Sequence, residues 1–439
     1  MDVKKSLFIF LAALAVVYGG YGLGRAVAGP KQGLDYAQYY MAGRMVVEGD
    51  GGALYESGPD YQRRAERYGV EGVVAEGERL DVMTNAYPPF VALLSAPLAL
   101  VPYDVSRFVF LAASVAASAL AALLLFAGRD RKTGGELRAA ALAATFIFFP
   151  LHYSLYMGQM NSLLLVLLVA ALQLGRRGRQ VAAGLLLGAA AAIKLFPLVL
   201  AAFFALKRQY TLAATAAASA VILSLSAMPV TGADVYAEYF TAVLPSQLDG
   251  GAFYRNQGVP AVLSRLLTEN DVVASLGHHP TLVTVLSAAA AVVALGAVFY
   301  FTKRNTDEGR SPYELEFSLV LAATIMVLSK SWEHYAVFLL PAYLFLYERF
   351  AYRGSGDGGT VLFLAALSYC VWSFVLTTGC EYRALPYHVL SNIPLSAKFT
   401  ATLVLYLCVL YVVGRRDEGR YVRSWPLESP ASEPGRYRR

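Results

Sequence analysis

Apolar stretches separated by short polar or basic loops recur along nearly the whole chain. They lie near 7–27, 105–127, 139–153, 162–175, 181–193, 195–206, 210–229, 282–302, 314–328, 335–350, 360–378 and 396–413. A spanning helix needs roughly 20 apolar residues, so the pattern predicts an all-α polytopic membrane protein of about twelve transmembrane helices. Several runs are shorter than a comfortable span and have to tilt or draw on their flanks. Pro88 to Val101 is read as not crossing fully. The run Val181 to Leu206 is read as broken near Lys194, because Pro197 removes a helix hydrogen bond and clashes with the carbonyl of Ile193.

With those two assignments the basic loops share one side. They are Arg129-Asp130-Arg131-Lys132, Arg176-Arg177-Gly178-Arg179, Lys207-Arg208, Lys303-Arg304 and Arg349 to Arg353, joined by Lys4-Lys5 and the tail from Arg415 to Arg423. The positive-inside rule makes that side cytoplasmic and puts both termini there. The expected layout is one membrane-integral catalytic domain over 1–414, with extracytoplasmic loops at 29–87 and 230–281, then a basic disordered tail over 415–439. Short amphipathic helices are expected in the first loop, with Tyr36, Tyr39, Tyr40 and Met41 along the headgroup boundary and Asp60 to Tyr68 a solvated helix. No repeat of roughly 20–50 residues is evident.

Composition agrees with this picture. Hydrophobic residues make up 57% of the 439 and charged ones 15%, which leaves no large soluble domain. Mean hydropathy is +0.49. The net charge of +6 resides mostly in loops that set orientation, so nucleic acid is not an expected partner. The first run lacks a convincing cleavage pattern and reads as a retained anchor. Cys370, Cys380 and Cys408 have neither CxxC nor Cys/His spacing, so no zinc site or disulfide framework is indicated. Neither a P-loop nor a GxGxxG phosphate cradle is convincing in a loop of the inner side, and nucleotide-driven chemistry is unsupported.

Against this apolar background, polar residues collect at the outer ends of the runs. Asp35, in Gly33-Leu34-Asp35-Tyr36, is either a helix cap or a general base for an incoming hydroxyl. Lys330-Ser331-Trp332-Glu333-His334-Tyr335 is either an aromatic-belt loop or a phosphate grip through Lys330 and His334, with Trp332 stacking on a sugar. A belt does not call for a histidine. Lys194 is flanked by apolar residues; it either snorkels at a helix end or pairs with a ligand anion. Gln159 and Asn161 are either caps or hydroxyl-binding amides, and Arg255, before Asn256 and Gln257, either a solvated arginine or a phosphate ligand. Asp81 is the competing acid, set among Glu76, Glu78 and Arg79.

In order along the chain these pieces resemble glycosyltransferase family 87 of the membrane-integral GT-C class. The matching residues are Gly33-x-Asp35-Tyr36-x-x-Tyr39-Tyr40 with Ala42-Gly43, Tyr87-Pro88-Pro89, Gly158-Gln159-x-Asn161, Lys194-x-x-Pro197, Asn256-Gln257, and Ser331-Trp332-Glu333-His334 with Pro341. The family is similar to polyprenol-phosphate-mannose-dependent mannosyltransferases. The resemblance implies a GT-C fold, a polyprenyl-phosphate sugar donor and a glycolipid or glycan acceptor. It also implies transfer on the extracytoplasmic face of the cell membrane, with inversion at the anomeric carbon. It makes Asp35 the catalytic base and His334 the donor-phosphate contact. Lys330, Lys194 and Arg255 are the further phosphate candidates. Gln159, Asn161, Trp332, Glu333, Tyr39, Tyr40, Asn256 and Gln257 are those for sugar or acceptor. One departure is Gly258, where a serine is expected. The donor supplies a good leaving group and the chain several cations, so neither a metal nor a cofactor is expected.

Two other classes fit the pattern of spans. A secondary transporter of about twelve spans would use the break at Lys194 near the membrane midplane, within repeated halves. A lipid-linked-sugar flippase would tolerate loss of the Asp35 carboxylate.

Overall fold

In hydrocarbon each backbone polar group has to be satisfied by its own segment, so the apolar runs fold as helices. The computed structural model describes residues 3–28, 33–70, 73–75, 78–80, 83–248, 250–310, 312–352, 358–374 and 385–415. Asp81, Cys380 and the expected tail beyond Arg415 lie outside the described residues. In chain order the helices are α1 (Val3–Ala28), α2 (Leu34–Val47), α3 (Pro59–Arg67), α4 (Pro89–Ser95), α5 (Tyr103–Leu125), α6 (Arg131–Ile147), α7 (Phe149–Met157), α8 (Asn161–Arg176), α9 (Gln180–Ile193), α10 (Val199–Leu206) and α11 (Tyr210–Leu225). Short helices α12 (Met228–Thr231), α13 (Ala233–Glu238) and α14 (Leu244–Leu248) precede α15 (Val259–Leu267), α16 (Pro280–Asp307), α17 (Tyr313–Val327), α18 (Leu340–Tyr347), α19 (Gly359–Phe374) and a last long helix, Ala397–Gly414.

Each expected span coincides with a helix or a broken helix, but their lengths differ. Tyr103–Leu125, Tyr210–Thr231, Pro280–Asp307 and Ala397–Gly414 are long and apolar enough to cross a membrane, and α6 with α7 makes a fifth if the bent pair is one span. Length and composition thus support four or five spanning helices among the described residues and do not confirm the expected twelve; α8, α9 and α19 are apolar but shorter. The bend between α6 and α7 is 58°. Its cause is Pro150, which cannot donate to the carbonyl of Phe146; the His152 ring bonds that carbonyl instead, at 2.7 Å. The expected break at Lys194 is present: Lys194 is extended, between α9 and a 3-10 turn over Phe196–Leu198. The all-α expectation has one exception, a short antiparallel ribbon of Val73–Ala75 with Glu78–Leu80 in the first loop. The solvated helix expected from Asp60 is α3.

Alpha9 sits at the centre of the arrangement, packed on α8 and α11. Gly184 and Gly188 bring it close to α11: a Cβ at either would stand 2.7 Å from the Leu212 carbonyl oxygen or 2.6 Å from that of Ala216. Small residues four apart let membrane helices approach in this way. By contrast α16 leaves Val292 and Val293 exposed, as a lipid-facing helix does.

The basic loops gather at one end of the helices, where carboxylates neutralise them. Arg129 pairs with Glu348 at 2.8 Å and Glu314 at 3.0 Å, and Arg176 also reaches Glu314 at 2.8 Å. Lys207 pairs with buried Glu316, and Arg208 with Asp307. Alpha8 starts at Asn161 and ends in this cluster at Arg176; α9 starts beside it and ends at Lys194; α17 starts in it and leads out to Lys330. The opposite ends of these helices therefore carry the candidate polar residues, roughly 24 Å away along the 16-residue α8.

Candidate active site

Asp35 lies in the first turn of α2, which begins at Gly33 in a left-handed conformation, φ 67°. The Gly33 N–H donates to the Tyr156 carbonyl at 2.8 Å, tying the start of α2 to the end of α7. Gly158, at φ 73°, ends α7 against the same spot: a Cβ there would stand 2.5 Å from that of Tyr36. Two glycines thus let the Asp35 turn meet the Gly158-Gln159 turn at backbone distance. That contact explains the physical need for both motifs.

The Gln159 side chain occupies the middle of the site. Its Nε2 donates to Asp35 Oδ2 at 2.6 Å and to the Tyr87 hydroxyl at 3.1 Å. Its Oε1 accepts from Lys194 Nζ at 2.8 Å and from the Tyr39 hydroxyl at 3.2 Å. Lys194 also donates to Asn161 Oδ1 at 3.0 Å, and Asn161 Nδ2 to the His334 carbonyl at 3.1 Å. A continuous hydrogen-bonded path therefore runs from Asp35 through Gln159, Lys194 and Asn161 to the backbone of His334. The ammonium lies over the Tyr335 ring, 4.4 Å from its centroid, and 5.7 Å from that of Tyr87. All of these groups are buried or nearly so. Alpha2 is outside the spanning helices, and burial pushes the Asp35 carboxyl up to about 6.

His334 lies in the first turn of the 3-10 helix Glu333–Leu339. It is buried, yet neither ring nitrogen has a hydrogen-bond partner among the described residues. The imidazole lies 5.7 Å from the Tyr153 ring, and the Arg255 guanidinium covers the same tyrosine at 4.8 Å. Arg255 Nη1 donates to Glu333 Oε2 at 2.9 Å. The other Glu333 oxygen receives Lys398 Nζ at 2.6 Å, with both side chains fully buried. One carboxylate thus holds two cations beside His334.

The remaining candidates are held as follows. Asn256 is fully buried and bridged to Trp332; its amide donates to the carbonyls of Gly250 and Ser329 and accepts from the Ser331 N–H. Gln257 donates to the carbonyls of Tyr254 and Leu395 and accepts from the Phe399 N–H. Of these amides, expected at the sugar, Asn256 fastens its loop to the Ser329–His334 connector and Gln257 fastens it to Leu395 and Phe399 at the start of the last long helix. Glu333 is likewise an ion-pair partner. Tyr40 donates to the Val101 carbonyl and packs on Tyr103, while Tyr39 packs edge-on to Tyr87. Lys330 is half-buried and donates to the Ser246 carbonyl at 2.9 Å and to Gln247. Trp332 meets Phe253 edge-on at 5.7 Å and is half-buried. At Gly258 a Cβ would lie 2.4 Å from the Leu328 carbonyl oxygen, so the expected serine is excluded by close backbone packing.

Sequence reasoning missed Tyr87 as a hydroxyl partner, Tyr335 and Tyr153 as the faces under the cations, and Lys398. The signal for Lys398 was available: a cation at the head of an apolar helix implies a partner. Nothing local marked the tyrosines among 29 in the chain.

The chain is 26% identical over 361 residues to a polyprenol-phosphate-mannose-dependent alpha-(1-2)-phosphatidylinositol mannoside mannosyltransferase of Mycolicibacterium smegmatis, covering 77% of this chain and 75% of that one. It is 27% identical to the protein of the same description from Mycobacterium tuberculosis, over 59% of this chain and 60% of the other. A pentamannoside mannosyltransferase of Mycolicibacterium smegmatis is 30% identical over 59% of this chain and 60% of its own length. No solved structure matches. The pattern for glycosyltransferase family 87 matches residues 85–331, more than half of the chain, taking in Gln159, Asn161, Lys194 and Arg255 but not Asp35 or His334; the chain belongs to that family and is a membrane glycosyltransferase.

Proposed function

We propose that the protein moves mannose from a polyprenyl-phosphate donor to a hydroxyl of a glycolipid of the phosphatidylinositol mannoside kind. Three relatives named for polyprenol-phosphate-mannose-dependent transfer support the donor. The observation that carries the mechanism is a buried carboxylate and, at the same end of the helices, a buried imidazole with no hydrogen-bond partner among the described residues. In this reading Asp35 removes the proton from the acceptor hydroxyl as its oxygen attacks the anomeric carbon. The bond from that carbon to the phosphate oxygen breaks, the configuration inverts, and polyprenyl phosphate departs. His334 donates to the departing phosphate, and Lys194 and Arg255 supply positive charge near it. Orientation follows from charge: the loops at Arg129, Arg176 and Lys207 are cytoplasmic, so the site opens on the other face.

The test is transfer of radiolabelled mannose from polyprenyl-phosphate-mannose in purified membranes. Asp35→Asn should lower the rate on the order of 10²–10⁴-fold. An Asp35→Asn rate equal to wild type removes the base, and no transfer by wild type from any polyprenyl donor removes the donor class.

A further inference from the structure

We propose that Gln159 is a spacer: it holds the Asp35 carboxylate and the Lys194 ammonium apart within one buried cluster, so that the first stays a usable base and the second a usable cation. The inference rests on the functional reading above and gives Gln159 a positioning role in place of a sugar contact.

The geometry leaves the amide nothing to offer a substrate. Its two donor hydrogens serve Asp35 Oδ2 and the Tyr87 hydroxyl, and its oxygen accepts from both Lys194 and the Tyr39 hydroxyl. An amide is neutral and presents a donor to the carboxylate and an acceptor to the ammonium, so it satisfies both ions without cancelling either. Among the described residues each ion has one further side-chain hydrogen-bond partner: Gln38 Nε2 stands 3.4 Å from Asp35 Oδ1, and Asn161 Oδ1 accepts from Lys194 at 3.0 Å. Remove the spacer, and opposite charges in a buried setting draw together. A cation in contact lowers an aspartate's pKa by ~1–3 units. The base would weaken and the ammonium would be spent on it.

The other groups facing this pair do not replace the spacer. Tyr39 on α2, Tyr87 before α4 and Tyr335 after the Ser329–His334 connector present phenols or ring faces. Tyr153 on α7 lies under Arg255, which is committed to Glu333. His334 meets the cluster through its carbonyl, which accepts from Asn161, and its ring nitrogens bond neither ion among the described residues.

The test follows Asp35 directly, without requiring transfer. Full-length protein in lipid nanodiscs is titrated by infrared difference spectroscopy, with the Asp35 carboxyl band assigned by its absence in Asp35→Asn. In wild type the band should titrate near 6. In Gln159→Ala the midpoint should fall by about one unit or more, and in Gln159→Ala combined with Lys194→Met that fall should vanish. Gln159→Met fills the space without hydrogen bonds; its midpoint should hold or rise, since only a donor to the carboxylate is lost. Gln159→Ser carries the same expectation as Gln159→Ala if the alanine variant does not fold. A midpoint in Gln159→Ala that stays or rises overturns the proposal, as does a wild-type midpoint at the ordinary aspartate value. Failure of wild type to transfer mannose would strike the functional reading and leave these titrations to decide the spacer.

Discussion

Burial pushes the Asp35 carboxyl up to about 6, against the Gln159 hydrogen bond and the nearby Lys194 ammonium, both of which favour the charged form. A base works deprotonated, so the consequence for rate has a definite sign. Below about 6 the carboxyl holds its proton and turnover should fall close to tenfold per pH unit; above it the rate should level off. Initial rates of mannose transfer from pH 4 to 8 check this, and a rate flat across that range would exclude Asp35 as the group that titrates. Asp35, Lys194 and His334 were all legible as candidates, because a charged residue or a histidine among apolar neighbours needs a reason. Their partners were not: whether Gln159 meets a sugar or an aspartate depends on a residue 124 positions away.

Elements meet at this site through two devices. Where α2 crosses the end of α7, Gly158 has no room for a side chain and a positive φ that disfavours one. Gly158→Ala should therefore lower the thermal midpoint and separate Asp35 from Gln159, with loss of transfer exceeding loss of folded protein; thermal unfolding and initial rates on the same sample measure the two effects. Across the site, the last long helix reaches the His334 connector by the Lys398–Glu333 pair. Removing one partner of a buried pair costs on the order of 3–5 kcal/mol, whereas replacing both is nearly neutral. Glu333 pairs with two cations, so Lys398→Met leaves it Arg255, whereas Glu333→Gln takes the carboxylate from both; Glu333→Gln should therefore lower the thermal midpoint more than Lys398→Met. A Glu333→Gln midpoint equal to or above that of Lys398→Met would mean that this carboxylate does not hold both cations. The helix break at Lys194 was legible from Pro197, whose missing N–H acts locally. The attachment of Asn256 and Gln257 to backbone was not, because a side-chain amide serves a sugar or a carbonyl equally well.

At the scale of the whole molecule, two ends of one helical assembly carry opposite tasks. Arg129, Arg176 and Lys207 are neutralised by Glu314, Glu348 and Glu316 at one end; the Asp35–His334 cluster occupies the other. A membrane between them predicts opposite labelling of single cysteines in a cysteine-free background. Cysteine at exposed Arg177 should react with an impermeant thiol reagent only from the cytoplasmic side, and cysteine at exposed Leu276 only from outside. Reaction of both from the same side would refute the arrangement.

By itself the chain determined the membrane class, the positions of the apolar helices, the grouping of basic loops at one end and the short roster of ionisable residues worth watching. These follow from local rules: hydrocarbon forces helices, proline interrupts them, and a charge in an apolar run demands compensation. Tertiary structure decided which amides face ions and which face backbone, that Glu333 holds two cations, and that Gly258 has no space for a serine. Each of these depends on atoms brought together from distant parts of the chain, and a hydrogen-bonding group carries no mark of its partner until packing has chosen one.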